Sequence, residues 1–96
     1  MFQDLDPLLH NQLRLQIAVL LVQVDWAEFN FLLEKTGATR GNLSANLSKL
    51  RDEGYIHMEK SFKGNYPLTR LRITEKGRTA VRGYVAAMER YLNNLK

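Results

Sequence analysis

Arg40, Asn42, Ser44, Asn46 and Lys49 stand close together between Thr39 and Asp52, interleaved with Leu43, Leu47 and Leu50. Leucines spaced by four and three make one apolar face of a helix. The polar residues therefore take the rest of its surface, with Arg40, Gly41, Ala45, Ser48 and Lys49 outward and Asn42, Ser44 and Asn46 on the flanks. The chemistry they offer is hydrogen bonding. A guanidinium pairs bidentately with a guanine edge and a carboxamide with an adenine edge. The hydroxyls of Thr39 and Ser44, with free N–H groups at a helix start, suit phosphate oxygens. A merely solvated helix face has the same residue types, so further features must discriminate.

A second cluster follows. Lys60, Lys63, Asn65, Arg70 and Arg72 surround Gly64 and Pro67, which shape a tight loop able to lie along a phosphate backbone. Edge-strand lysines also serve simply to block aggregation. The charge distribution favours the polyanion. Residues 1–39 hold five acids against Arg14 and Lys35, a net of −3. Residues 40–82 hold ten basic residues against four acids, a net of +6, and the remainder adds +1 to reach the chain total of +4. So sharp a basic segment is the footprint of a polyanion-binding face.

Other chemistries find no support. No Ser-His-Asp set, paired carboxylate site or phosphate-cradling glycine loop is present, so no catalytic residue, enzyme activity or cofactor is expected. The chain has no Cys, which excludes disulfides and thiolate metal sites, and His10 and His57 lack ligand-spaced partners, so no metal is expected. Trp26, Tyr55 and Tyr66 suit a small core or its edge better than base stacking, and only Tyr66 falls in an expected loop. Ile17 to Val22 is far too short an apolar run to span a bilayer, and Asp4 and Asp6 replace the basic start of a signal peptide. A cytoplasmic location without membrane association is the expectation.

The elements that must position these residues can be read in order. Asp6-Pro7 has the chemistry of a helix start, and Leu13, Ile17, Leu20, Leu21 and Val24 carry helical spacing. Asp25 to Glu28 reads as a capping box; alternatively Asn30 caps, leaving Asp25 to Phe29 as a short strand. Phe29, Leu32 and Leu33 form a buried stripe that Gly37 can end in a left-handed cap. Thr39 caps the leucine helix and Gly54 stops it, so two helices flank a turn of helix-turn-helix length. The period then alternates. Ile56 and Met58 point to the core, with Phe62 near the same side, and Leu71 and Ile73 point inward from a second strand. Thr74-Glu75 starts a last helix.

Phe29-Asn30-Phe31-Leu32, Gly41-Asn42-Leu43-Ser44, Leu47-Ser48-Lys49-Leu50 and Glu53-Gly54-Tyr55-Ile56 carry a family resemblance. It continues through Lys60-Ser61-Phe62-Lys63-Gly64, Pro67-Leu68-Thr69 and Ile73-Thr74-Glu75-Lys76-Gly77-Arg78. In order and spacing these resemble the winged-helix regulators of the MarR/ArsR type, above all their minimal members. The resemblance implies an α+β fold, mainly helical with a small β-hairpin wing. It implies a recognition helix from Thr39 to Glu53 in the major groove, and a wing from Lys60 to Arg70 on backbone or minor groove. The metal-binding clusters of ArsR sensors are missing, and the chain is too short for much of the MarR ligand pocket.

The last helix, from Glu75 to Leu95, would run about 31 Å, long for a chain whose radius of gyration should be about 12–13 Å. Val81, Val85, Met88, Leu92 and Leu95 make an apolar stripe that Tyr84, Ala87 and Tyr91 widen. Such a stripe can in part fold back on the first helix, but its excess length and width favour a partner helix from a second copy, and twofold dimers are the commonest assemblies. The expected organisation is one domain over residues 1–96: helix-turn-helix about 28–54, wing about 55–73, dimerisation helix about 75–96. The expected function is sequence-specific binding of double-stranded DNA by a homodimeric transcriptional regulator acting as a repressor. The alternative is a winged helix used as a protein–protein interaction module.

Overall fold

The computed structural model describes residues 2–96, in the order α1 (Gln12–Val22), β1 (Ala27–Glu28), α2 (Phe29–Thr36), α3 (Arg40–Asp52), β2 (Ile56–Lys63), β3 (Tyr66–Ile73) and α4 (Glu75–Asn93). Asp6 does not start a helix. Its carboxylate accepts from Leu8 N at 2.8 Å and its carbonyl from His10 N, which closes a single turn. Extended backbone at Asn11 (φ −152°) then breaks the path, and the Asn11 side chain caps α1 by accepting from Arg14 N. The break sinks Leu9 completely into the core and leaves the Leu8 carbonyl to Arg14 Nε, 2.6 Å away.

Of the two readings before α2, the short strand is the one that forms. Ala27 and Glu28 pair with Leu71 and Arg70 of β3. Neither expected cap forms, because both side chains find partners elsewhere: Asp25 pairs with Arg72 at 2.5 Å, and Asn30 accepts from Arg40 at 3.4 Å. Glu28 occupies the cap position without a side-chain bond. Gly37 closes α2 at φ +69°, a left-handed conformation that only glycine adopts without penalty. Thr39 then caps α3, its hydroxyl accepting from Asn42 N. The carbonyls at the far end of α3 are met from α4: Thr74 Oγ1 donates to Gly54 O at 2.7 Å and Lys76 Nζ to Glu53 O at 2.7 Å.

The strands form one antiparallel sheet in the order β1-β3-β2. Lys63 pairs with Tyr66, so the hairpin loop is only Gly64-Asn65, with Gly64 at φ +64°. Directly opposed residues share a face. One face carries Ile56/Ile73, Met58/Leu71, Lys60/Thr69 and Phe62/Pro67 in succession outward from the core. The first two pairs are packed against the helices, Lys60/Thr69 borders α3 across an open groove, and the hairpin then outruns the layer beneath it. Phe62, expected near the core side, is therefore 75% exposed.

Leu9, Ile17, Leu21, Leu32, Leu43, Leu47, Leu50 and Leu71 are the fully buried centre, so all three leucines of α3 lie in the core. The segment from Phe2 through α1 runs antiparallel to α4: Arg78 reaches Val22 O, His10 Nδ1 meets Tyr84 Oη at 3.0 Å, and Phe2 stacks on Tyr91 at 4.6 Å. Val81 and Tyr84, expected at an interface between copies, are buried in the chain's own core because α1 and His10 cover that part of α4. Met88 is half-buried against the same core.

Candidate nucleic-acid interface

The outward face of α3 and the inner face of the wing open on the same side of the molecule. Arg40 and Ser44 of α3 line one groove with Pro67, Leu68 and Thr69 of β3. Ser44, Ser48 and Arg51 line the next with Lys60 and Thr69. The surface is continuous from Arg40 to the wing because Lys60 and Thr69 are an opposed pair on the sheet face turned to α3.

Among the described residues, Lys49, Lys60 and Lys63 are exposed and have no carboxylate within ion-pair distance. Arg40 lies over the Phe29 ring at 5.8 Å, which orients its guanidinium across the start of α3. Thr39 is occupied as a cap but exposed, Ser44 lies in the groove, and Asn65 sits at the wing tip. Arg40, Ser44, Lys60 and Lys63 line adjoining grooves between α3 and the wing, whereas Thr39, Lys49 and Asn65 line none of the three. Arg51, not among the sequence candidates, joins the first four; the groove it shares with Lys60 forms only when the hairpin folds over α3.

Two candidates are drawn elsewhere. Asn46, expected on a flank of α3, is only 8% exposed. It accepts from Arg14 Nη1 at 2.6 Å and donates to Asn42. Arg70, expected to supply wing charge, points to the opposite sheet face. Its guanidinium lies 4.0 Å from the Trp26 ring and is ion-paired with Glu59 at 2.8 Å. Arg72 joins the same stack at 4.9 Å. A signal existed, since strand alternation places Arg70 and Arg72 opposite Leu71 and Ile73. Among the described residues, Arg51, Arg70, Arg72, Lys76 and Arg78 pair with Asp52, Glu59, Asp25, Glu53 and Glu75, which leaves Arg40 and Lys49 of α3, Lys60 and Lys63 of the wing and Arg82 of α4 as the cations of residues 40–82 without an ion-paired carboxylate.

Behind α3, Tyr55 Oη donates to Asp6 at 2.5 Å. Burial, then the hydrogen bond to Asp6 and the negative charges of Asp6 and Glu53, push its phenol up to about 12. The contact ties the end of α3 to the N-terminal turn. Among the described residues no cluster of His, Asp or Glu has metal-ligand geometry, and no helix is long and apolar enough to cross a membrane.

A capped helix-turn-helix, a three-stranded wing and a long terminal helix define a winged-helix protein with a basic face built from its third helix and hairpin. The chain belongs to the winged helix DNA-binding domain family, whose profile matches residues 13–92. An uncharacterized protein of Methanocaldococcus jannaschii is 33% identical over 87 residues, covering 91% of this chain and 95% of that one. A transcriptional regulator homologue from Pyrococcus horikoshii superposes with a TM-score of 0.86 at 24% identity, over 93% of this chain and 88% of that one. PadR of Bacillus subtilis, in complex with operator DNA, superposes with a TM-score of 0.70 at 18% identity, over 78% of this chain and 47% of PadR. Regulators of both MarR and PadR type thus share the fold.

Proposed function

We propose that this chain is a homodimeric transcriptional regulator that binds specific sequences in double-stranded DNA and acts by repression. The observation that carries the reading is the groove surface between α3 and the inner wing, where Arg40, Ser44, Lys60 and Lys63 line adjoining grooves and the two lysines have no ion-paired carboxylate among the described residues. α3 enters the major groove; Thr39, Arg40, Asn42, Ser44 and Lys49 meet base edges or phosphates. The wing, with Lys60, Lys63 and Asn65, follows the adjacent backbone. That PadR, a neighbour in fold, forms a complex with operator DNA supports duplex DNA as the ligand.

Dimerisation rests on the far end of α4. Val85, Tyr91, Leu92 and Leu95 are exposed, Leu95 by 83%, and Phe2 extends the patch through its stack on Tyr91. Half-buried Met88 borders it. A second copy would cover this surface by a twofold contact. Leu92→Glu should shift sedimentation to the monomer while leaving the fold intact, because Leu92 is outside the core.

Selection of bound duplexes from a random pool tests the whole reading. The expected result is an enriched motif with twofold symmetry, lost with Arg40→Ala and Lys49→Ala. Failure to enrich any duplex by a folded protein would overturn it and favour a protein-interaction module.

A further inference from the structure

Asn46 cannot be oriented in more than one way. Its Nδ2 lies 2.8 Å from the backbone carbonyl of Asn42, which only accepts, and its Oδ1 lies 2.6 Å from Arg14 Nη1, which only donates. Rotating the amide by half a turn would set oxygen against oxygen and N–H against N–H. The second hydrogen of that Nδ2 points at the Asn42 side chain, 2.9 Å away, so the Asn42 atom there must be its acceptor, Oδ1. Arg14 is held in turn by the Leu8 carbonyl at 2.6 Å, in the turn that Asp6 caps.

The consequence falls on Asn42, which is exposed on the flank of α3 beside an open groove lined by Asn11, Gln12 and Gln16. Its Oδ1 is turned inward to Asn46, and its Nδ2 has no protein acceptor among the described residues. Pairing with both N7 and N6 of adenine requires an amide N–H and an amide oxygen presented together, whereas N7 alone requires only a donor. A phosphate oxygen, or the N7 and O6 edge of guanine, requires donors alone.

We propose that the relay from Arg14 through Asn46 locks Asn42 as a donor, so that it engages an acceptor on the duplex, a phosphate oxygen or a purine-edge acceptor, and does not make the two-bond pair with adenine N7 and N6. The assignment rests on α3 being the duplex-binding helix. Arg14 and Asn46 are positioning residues, acting through Asn42 without touching the duplex. Asn46→Asp is the near-isosteric reversal. The carboxylate keeps Arg14 but cannot donate, so Asn42 must turn its NH2 inward and expose oxygen.

The test uses the parent protein and its selected duplex, with single methylphosphonates to silence phosphates, 7-deazaguanine or 7-deazaadenine to silence purine N7, and purine in place of adenine to remove the N6 amino group. Among the positions at which the parent loses affinity, one methylphosphonate or 7-deazapurine position, costing about tenfold, should belong to Asn42, and the kind of position identifies the source. Asn42→Leu and Asn46→Asp should bind more weakly and become indifferent to that same substitution, a readout that general loosening of α3 would not produce. Should Asn46→Asp fail to fold, Asn42→Leu, at an exposed site, still decides. Sensitivity to loss of the adenine N6 amino group that disappears in Asn42→Leu overturns the proposal. So does an Asn42→Leu variant with the parent's affinity and sensitivities. The first outcome leaves α3 as the duplex-binding helix; after the second, weakened binding by Arg40→Ala or Lys49→Ala leaves the broader DNA-binding reading standing, whereas indifference to all three substitutions removes both.

Discussion

Two glycines of α4 should respond in opposite directions to the same substitution. At Gly77 an added Cβ would lie well inside contact distance of the Tyr55 carbonyl oxygen and 2.8 Å from Ile73 Cγ1. Neither neighbour can yield cheaply. The Tyr55 carbonyl accepts from Thr74 N at 3.0 Å, and Ile73 is buried. Overpacking of this kind costs about 1–3 kcal/mol, and loss of the Thr74 bond adds about 1 kcal/mol. The helix gains about 1 kcal/mol from Gly to Ala. Gly77→Ala should therefore destabilise by about 1–3 kcal/mol. At Gly83 nothing lies within 4 Å of an added Cβ, so the helical gain of about 0.5–1 kcal/mol stands alone. Thermal melts at one fixed protomer concentration should show a fall of roughly 5–20 °C for the first and a rise of roughly 2–8 °C for the second. A Gly77→Ala protein melting at or above the parent would refute the close approach of α4 to Tyr55.

Leu47→Ala should cost about 2–5 kcal/mol in urea unfolding, because it opens a cavity under α3 where Leu47 is fully buried. The Tyr55 phenol, pushed up to about 12 from 10, favours its neutral form in the fold, so its contribution is complete below about pH 10 and lost as pH rises through about 12. Tyr55→Phe should flatten the parent's loss of stability across that window, as read by chemical denaturation at each pH. Lys60→Gln and Lys63→Gln should each make the salt dependence of duplex binding shallower by roughly one phosphate contact per copy engaged. Arg70→Gln should leave that slope unchanged and instead lower the melting temperature and alter the fluorescence of the single tryptophan, Trp26.

Local chemistry in the sequence determined the elements. Leucines at spacings of three and four made α3 a one-sided helix, Thr39 and Gly37 marked the turn before it, and alternation after Gly54 marked the wing. These are signals between neighbours in the chain, where periodicity and capping act within a few residues. The charge boundary near Arg40 was likewise legible from composition alone.

Periodicity states which face a side chain takes; it does not state what lies over that face. Asn46 had a flank position by helical spacing, but Arg14, thirty-two residues earlier, makes that flank an interior one. Phe62 had a core-side position by alternation, but the helices end before the hairpin does, and it meets solvent. Val81 and Tyr84 belonged to an apolar stripe that reads equally well as core or interface, and the antiparallel segment through His10 and α1 covers them within one chain. Arg70 counted toward a basic wing until Trp26 and Glu59 met it on the far side of the sheet. In each case the deciding partner is distant in sequence. Only chain reversal through the folded core brings it within the few ångströms over which hydrogen bonds, stacking and exclusion of water act.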